Sequence, residues 1–403
     1  MRWFVSMPLA FVRPGTSRSM QAPFASFFMG GFECSTLVRR DGVRLDLLAS
    51  TGHAASAAND YRRLRDAGLV TVRDGLRWHL IEQDPGRYDW SSLLVLAKAA
   101  RQAGVQVVWD LCHYGWPDGL DIWSSEFPAR LGLLAGEAAR VIADATGAAP
   151  LLCPVNEMSF WAWAGGEVGR FGPGATGRGF ELKRQLVRAY MAATEAARAA
   201  VPACRFVCAE PAIHVDPGAD PTSATEALAE HHRLSQFEAI DLLVGRLEPE
   251  LGGHSDYLDL VGINFYPDNQ WYLNGRTIPL GHHAFRRFAD MATEWHERYG
   301  RPVFVAETGA EGSGRAPWLH YVSEEVAEAR RRHVPLIGIC LYPILDYRGW
   351  EDERHCSTGL LSQPGESGER DVYQPLLAEL KRQQARLGSE ARPYRDAIVS
   401  AAA

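Results

Sequence analysis

The chain is expected to fold as an α/β protein, a single-domain (β/α)8 TIM barrel, on three features of its sequence. Eight short apolar runs rich in Val, Ile, Leu and aromatic residues recur along it, as buried parallel strands require. Longer stretches with apolar residues every three or four positions separate these runs, as amphipathic helices do. The main competitor, an open doubly wound sheet, needs a glycine-rich phosphate loop after its first strand. "GGFECS" at 30–35 is not G-x-G-x-x-G, and the sequence contains no Walker motif.

In chain order the strand candidates are 26–34, 69–78, 105–114, 151–158, 204–211, 258–266, 302–309 and 336–345. Helical periodicity fills 57–68, 90–104, 128–147, 181–200, 225–245, 283–300 and 319–333, and several of these stretches end in Gly, as a helix C-terminus prefers. A last helix at 372–387 tolerates Pro375 only near its first turn. Consecutive right-handed crossovers wind a parallel sheet in one direction until it meets itself, so eight such units predict closure. The barrel is assigned to 23–390, with 1–22 as an N-terminal segment and 391–403 as a tail. In the opening "MRWFVSMPLAFV" a short apolar run is interrupted by Arg13 and Pro14, with no small-residue cleavage site close behind. It therefore reads as a disordered or alternative start and not as a secretory signal.

A hydrophobic fraction of 46% with 23% charged residues is that of a globular protein with ample core. No apolar run approaches the ~18 residues of a membrane helix, so no membrane partner is expected. The net charge of −7, without a Lys/Arg-dense block, argues against nucleic acid as a partner. Seven cysteines (Cys34, Cys112, Cys153, Cys204, Cys208, Cys340 and Cys356) lie mostly in or beside apolar runs. That placement suits reduced thiols in a disulfide-free, cytoplasmic protein. No C-x-x-C occurs, and His355–Cys356 is too little for a metal site, so neither metal nor organic cofactor is expected.

Active sites of such barrels form where the strands end at the C-terminal face. The polar residues closing the runs are Glu33, Arg73, Arg77, His113, Asn156, Glu157, Glu210, His214, Asn264, Tyr266, Glu307, Tyr342 and Asp346. Glu157 stands in "CPVNEMSFWAWAGG", where an unpaired carboxylate would be expensive to bury. Closure places Glu307 of the seventh run roughly opposite it. Two facing carboxylates suit glycoside hydrolysis, one as proton donor and the other as nucleophile or activator of water. Trp116, Trp123, Trp161, Trp163 and Trp350 offer rings for sugar faces, although most such rings serve packing; only Trp350 is kept for the site. Arg73 and Tyr266 are expected to hold Glu307 ionised, while aromatic surroundings raise the pKa of Glu157.

These residues resemble those of glycoside hydrolase family 1 and, more widely, of clan A of the retaining β-glycosidases. "VNEMSF" and "VAETG" match that family's Asn-Glu at the fourth strand and Glu at the seventh. "VRDGLRW", "HYGWP" and "LVGINFYP" resemble its second-, third- and sixth-strand motifs. The resemblance implies Glu157 as acid/base and Glu307 as nucleophile. It also implies Asn156 as a donor to the sugar 2-hydroxyl, His113 as a contact of the glycone, and Arg73 and Tyr266 as supports of the nucleophile.

The rim departs from the family. In "YPILDYRGW", Tyr342 replaces a usual Trp, and Gly349 replaces a Glu that grips the outer hydroxyls of the glycone. Leu37 falls near a glycone-binding Gln, with Glu33 a few residues earlier. Glu33, Tyr342 and Trp350 therefore join the substrate-binding set, and no glucose preference is carried over. Left outside it are Glu210 and His214, read as solvated loop residues; "EHHR" at 230–233, read as a surface face; and Arg77, expected to pair with Glu82 or Asp84. The function these features point to is a retaining, β-glucosidase-like exo-β-glycosidase acting on a small glycoside or oligosaccharide. Alternatives are a carbohydrate-binding barrel without turnover or a transglycosidase using the same site; an NAD-dependent oxidoreductase lacks its fingerprint. No oligomeric state is specified.

Overall fold

The computed structural model describes residues 23–366 and 368–390; the segments 1–22 and 391–403 lie outside the described residues. Eight parallel strands close into a barrel: β1 (Phe28–Gly31), β2 (Thr71–Gly75), β3 (Gln106–Asp110), β4 (Leu151–Cys153), β5 (Arg205–Pro211), β6 (Leu260–Asn264), β7 (Val303–Thr308) and β8 (Leu336–Leu341). Each lies inside its expected run, and β1 pairs with both β2 and β8. Most runs overshoot their strands at the C-terminal end. There the chain leaves the ladder, and the polar residues it carries form the barrel mouth.

The surrounding helices are α1 (His53–Asp66), α2 (Ser91–Ala103), α3 (Glu126–Thr146), α4 (Gly179–Ala200), α5 (Ser223–Leu234), α6 (Phe288–Tyr299), α7 (Arg315–Arg331) and α8 (Gln374–Glu390). Gly104 and Gly147 end α2 and α3 with left-handed backbone, which a residue with Cβ adopts only at a cost. The stretch 225–245, read as one helix, breaks after Leu234 into a 3-10 turn and a short helix, Glu238–Leu243. Gln236 causes the break. Its side chain is buried, donates to Arg233 O at 2.6 Å and accepts from Ile213 N at 2.9 Å, which ties the turn to the end of β5.

The barrel interior is apolar at its lower levels, where Met29, Val108, Leu151, Val207, Leu260 and Phe304 meet. A second, larger layer packs the strands against the helices. The seam between β8 and β1 needs further fastening, because the chain returns there from its far end. Arg370 supplies it: its guanidinium donates to Asp60 Oδ1 at 2.7 Å and Oδ2 at 3.0 Å, to Thr51 O at 2.9 Å and to Ser362 O at 3.0 Å. His53 bridges Asp60 (2.8 Å) and Asp74 (2.9 Å), and Tyr61 donates to Asp74. All five side chains are buried.

Removing one member of a buried ion pair strands its partner's charge. Asp60→Ala is therefore expected to destabilise the fold by about 3–5 kcal/mol. Urea unfolding measures this, and a loss below about 1 kcal/mol, the scale of an exposed pair, would show that the network does not hold the seam.

Candidate active site

Arg73 on β2 is fully buried, and its guanidinium organises the mouth. Nη1 donates to Glu307 Oε1 at 2.9 Å and to Ala306 O at 3.0 Å. Nη2 donates to Asp110 Oδ2 at 2.7 Å and to Asn156 Oδ1 at 3.1 Å. Tyr266 donates to the other oxygen of Glu307, Oε2, at 2.9 Å. Glu307 is thus gripped at both oxygens by groups that complement a negative charge. Ladder register puts it beside Asn264 of β6.

Glu157 occupies the opposite kind of environment. It follows β4 as the residue before a short helical turn, Met158–Trp161, and adopts left-handed backbone at φ 43° and ψ 60°. Such a conformation in a residue with a side chain stores strain of order 1–3 kcal/mol and is characteristic of functional sites. Tyr114, which donates its hydroxyl to Glu157 Oε2, is also left-handed, at φ 62°. Burial, and next the charge of Glu307, push the Glu157 carboxyl up to about 8; Tyr114 and Asn264 pull the other way, and Glu210 adds to the rise. Tyr114 and Tyr266 are each raised first by burial and then by the charges of both carboxylates, so both phenols lie within electrostatic reach of Glu157 and Glu307.

Asn156 and His113 are brought to the same place, bonded to one another. With its Oδ1 turned to Arg73, the Asn156 amide donates from Nδ2 to His113 Nε2 at 3.0 Å and to the Tyr114 hydroxyl at 3.2 Å. Accepting at Nε2 leaves His113 its proton on Nδ1, 3.0 Å from Asp110 Oδ2. Burial lowers the His113 pKa, but Asp110 and Glu33 outweigh it, for a net rise. A second proton would nevertheless confront the Asn156 donor, so the neutral tautomer satisfies all these bonds.

Glu33, just past β1, is buried and accepts from Ser35 N at 3.0 Å. Burial raises its pKa, against the opposing influence of His113. The Tyr342 ring lies beneath the Arg73 guanidinium, 5.4 Å from its centroid. Trp350 stands higher, against Tyr114 at 5.7 Å and Phe171 at 6.0 Å. Of the other tryptophans, Trp161 is fully buried and donates to Gly172 O, whereas Trp123 lies under Arg178.

Some groups in the site were not singled out from sequence, namely Asp110, Tyr114 and Cys34. Asp110 hides in the expected "VVWDLCHY" run, and only the contact of its carboxylate with the Arg73 guanidinium reveals its role. Cys34, Asp110 and His113 bring possible metal-ligand atoms within 4.8 Å of one another. The Arg73 guanidinium already occupies Asp110 Oδ2 and would repel a cation there, so the cluster does not fit a metal.

The reading of Glu210 as a solvated loop residue is corrected. β5 runs on through Pro211, so Glu210 is still within the ladder, fully buried, accepting from Ser159 N at 3.0 Å. Burial lifts its carboxyl to about 7. Arg77 pairs with Asp46 at 3.2 Å, not with Glu82 or Asp84. Glu82 instead accepts from Trp78 Nε1 and from Arg130. "EHHR" lies on α5 with His231 and His232 exposed, as expected.

No protein-family model matches the sequence, and no curated protein matches it at the sequence level. Solved structures do match the fold. The family 1 β-glucosidase from Thermotoga maritima superposes with a TM-score of 0.74 at 14% identity, over 91% of this chain and 99% of that one. The AHE enzyme from Alicyclobacillus herbarius gives 0.73 at 18% identity, over 92% and 100%. The β-glycosidase from Thermosphaera aggregans gives 0.67 at 15%, over 83% and 85%. The chain therefore has the barrel fold of the family 1 β-glucosidase from Thermotoga maritima, over nearly the whole of that enzyme. The Thermotoga enzyme is also known in complex with deoxynojirimycin and with glucoimidazole.

The Glu157 proton is held to about pH 8 in the folded chain, against an ordinary value of 4.5. The native state therefore binds the extra proton between these values, and stability falls as pH rises through that window. Glu157→Gln removes this dependence and is expected to stabilise the fold by about 1–3 kcal/mol above pH 8, with little effect below pH 4.5. Urea unfolding at both ends of the window checks the difference; equal stability of variant and parent at high pH would contradict it.

Proposed function

We propose that the chain is a retaining β-glycoside hydrolase acting on a small glycoside or oligosaccharide. The observation that carries the reading is the pair of strand-end carboxylates in opposite environments, Glu307 gripped by Arg73 and Tyr266, Glu157 buried without a cation and with its carboxyl pushed up to about 8. Such a division is what double displacement needs. Glu307 attacks the anomeric carbon while Glu157 gives its proton to the departing oxygen. The resulting glycosyl ester on Glu307 is then opened by water, whose proton returns to Glu157. Retention requires the carboxyls to lie about 5 Å apart. Arg73 and Tyr266 keep Glu307 aimed, and Tyr114 positions the acid.

Asn156, His113, Glu33, Tyr342 and Trp350 are assigned to the sugar. The inhibitor complexes of the Thermotoga enzyme support a sugar-sized occupant of this fold's mouth. All seven cysteines are free and buried, which supports the cytoplasmic setting. Among the described residues no helix is long and apolar enough to cross a membrane.

A panel of aryl β-glycosides tests the proposal, and cleavage of at least one is expected. Glu307→Gln should abolish turnover, and Glu157→Gln should lower it by about 10²–10⁴-fold on substrates with poor leaving groups. If sugars bind and no glycoside is cleaved, the chain is a binding module. In the parent, kcat/KM should decline above about pH 8 as Glu157 loses its proton. NMR of the first-formed sugar should show the β anomer, and an initial α product would exclude Glu307 as nucleophile.

A further inference from the structure

Three rings that pack on Tyr114, those of Phe160, Phe171 and Trp350, line a cavity of about 370 Å³ whose walls include neither carboxylate. Its walls come from three loops: Leu37 and Arg40 after β1, Phe160 and Phe171 after β4, and Trp350 after β8. The three aromatic rings lie 6.0–6.4 Å from one another, and each touches Tyr114, at 5.5–5.8 Å. Phe160 and Trp350 are partly exposed and offer ring faces of the kind that fit the C–H face of a pyranose, Phe171 packs against both, and Arg39, Asp41, Arg170 and Glu351 complete the lining. Trp350 Nε1 is buried and has no hydrogen-bond partner, a donor without an acceptor. Arg40, exposed at the lip, offers further donors.

The loops are tied before any ligand arrives. Gly172 N donates to Val38 O at 2.7 Å, joining the β4 and β1 loops. Arg39 pairs with Glu353 at 3.0 Å and Arg170 with Glu351 at 2.6 Å, joining both to the β8 loop. The volume falls within the range of small-molecule pockets.

The cavity's position says which part of a substrate would enter it. β1 and β8, whose loops line it, are also the strands whose ends carry Glu33 and Tyr342, while the loops after β5, β6 and β7 add nothing to its lining. Leu37 lines the opening, and Gly349 immediately precedes Trp350. Neither carries a group that could grip a hydroxyl, and the space beyond is open.

We propose that this cavity is a second sugar subsite on the glycone side, so that the protein cleaves a β-linked disaccharide unit intact from its aglycone. The inference rests on the hydrolase reading and deepens it. The bond broken joins the inner sugar's anomeric carbon to the aglycone oxygen. Water supplies the hydroxyl to that carbon and the proton to that oxygen, and the link between the two sugars stays whole.

The test compares 4-nitrophenyl β-glycosides of single sugars with those of their 1,3-, 1,4- and 1,6-linked disaccharides, with chromatography of the products. At least one disaccharide glycoside should exceed its one-sugar counterpart by about tenfold in kcat/KM, releasing intact disaccharide with nitrophenol. Preference for single sugars throughout, or cleavage only between the two sugars, overturns the subsite and leaves the hydrolase reading standing. No cleavage of any member overturns both. Leu37→Trp, whose ring would fill the cavity, should lower the ratio of disaccharide to single-sugar kcat/KM by about tenfold, and an unchanged ratio in a variant that melts like the parent overturns the subsite. Leu37 is buried, so the product analysis on the unaltered protein stands as a test in its own right.

Discussion

The mouth of this barrel depends on one buried cation. Arg73 is out of reach of water, and its guanidinium must find its compensation among protein groups alone. It does so by binding Glu307, Asp110 and Asn156 together. Through those three it ties β2 to β7, to the end of β3 and to the segment that follows β4. Asp110 in turn orients His113, and Asn156 orients both His113 and Tyr114. A single planar fork of donors thus sets the positions of most polar groups in the site.

That arrangement also makes the two carboxylates unequal. Glu307 receives the cation and a phenol; Glu157 receives a phenol and an amide neighbour, but no cation. Burial, and next the charge of Glu307, raise the pKa of the Glu157 carboxyl, so Glu157 holds its proton to higher pH than an ordinary carboxylate. The strained backbone at Tyr114 and Glu157 belongs to the same device, because the two left-handed residues are the ones joined by a hydrogen bond. The surrounding barrel supplies the rigidity that keeps them there.

In the proposed reading, Asn156, Glu157, Glu307, Arg73 and Tyr266 serve the reaction, while Leu37, Tyr342 and Gly349 stand where the resemblance to family 1 implies larger or more polar residues. Arg73 and Glu307 lie within strands, where the ladder fixes their geometry; Leu37 and Gly349 ride on loops, where substitution reshapes a cavity without disturbing the barrel.

The sequence by itself determined the eight βα units, their closure and the two carboxylates, because strand runs, helical periods and strand-end motifs are local patterns. Each barrel strand falls within its expected run. It also carried Arg73 and Tyr266 through their spacing within such motifs. What it could not convey was which side chains meet across strands. Asp110 under Arg73, Tyr114 on Glu157, the buried Glu210 and the pairing of Arg77 with Asp46 join residues from different units, and no local period encodes their contact. The same holds for the cavity behind Trp350, whose walls are three loops distant in sequence. Only closure of the barrel brings those loops together, and with them the space they enclose.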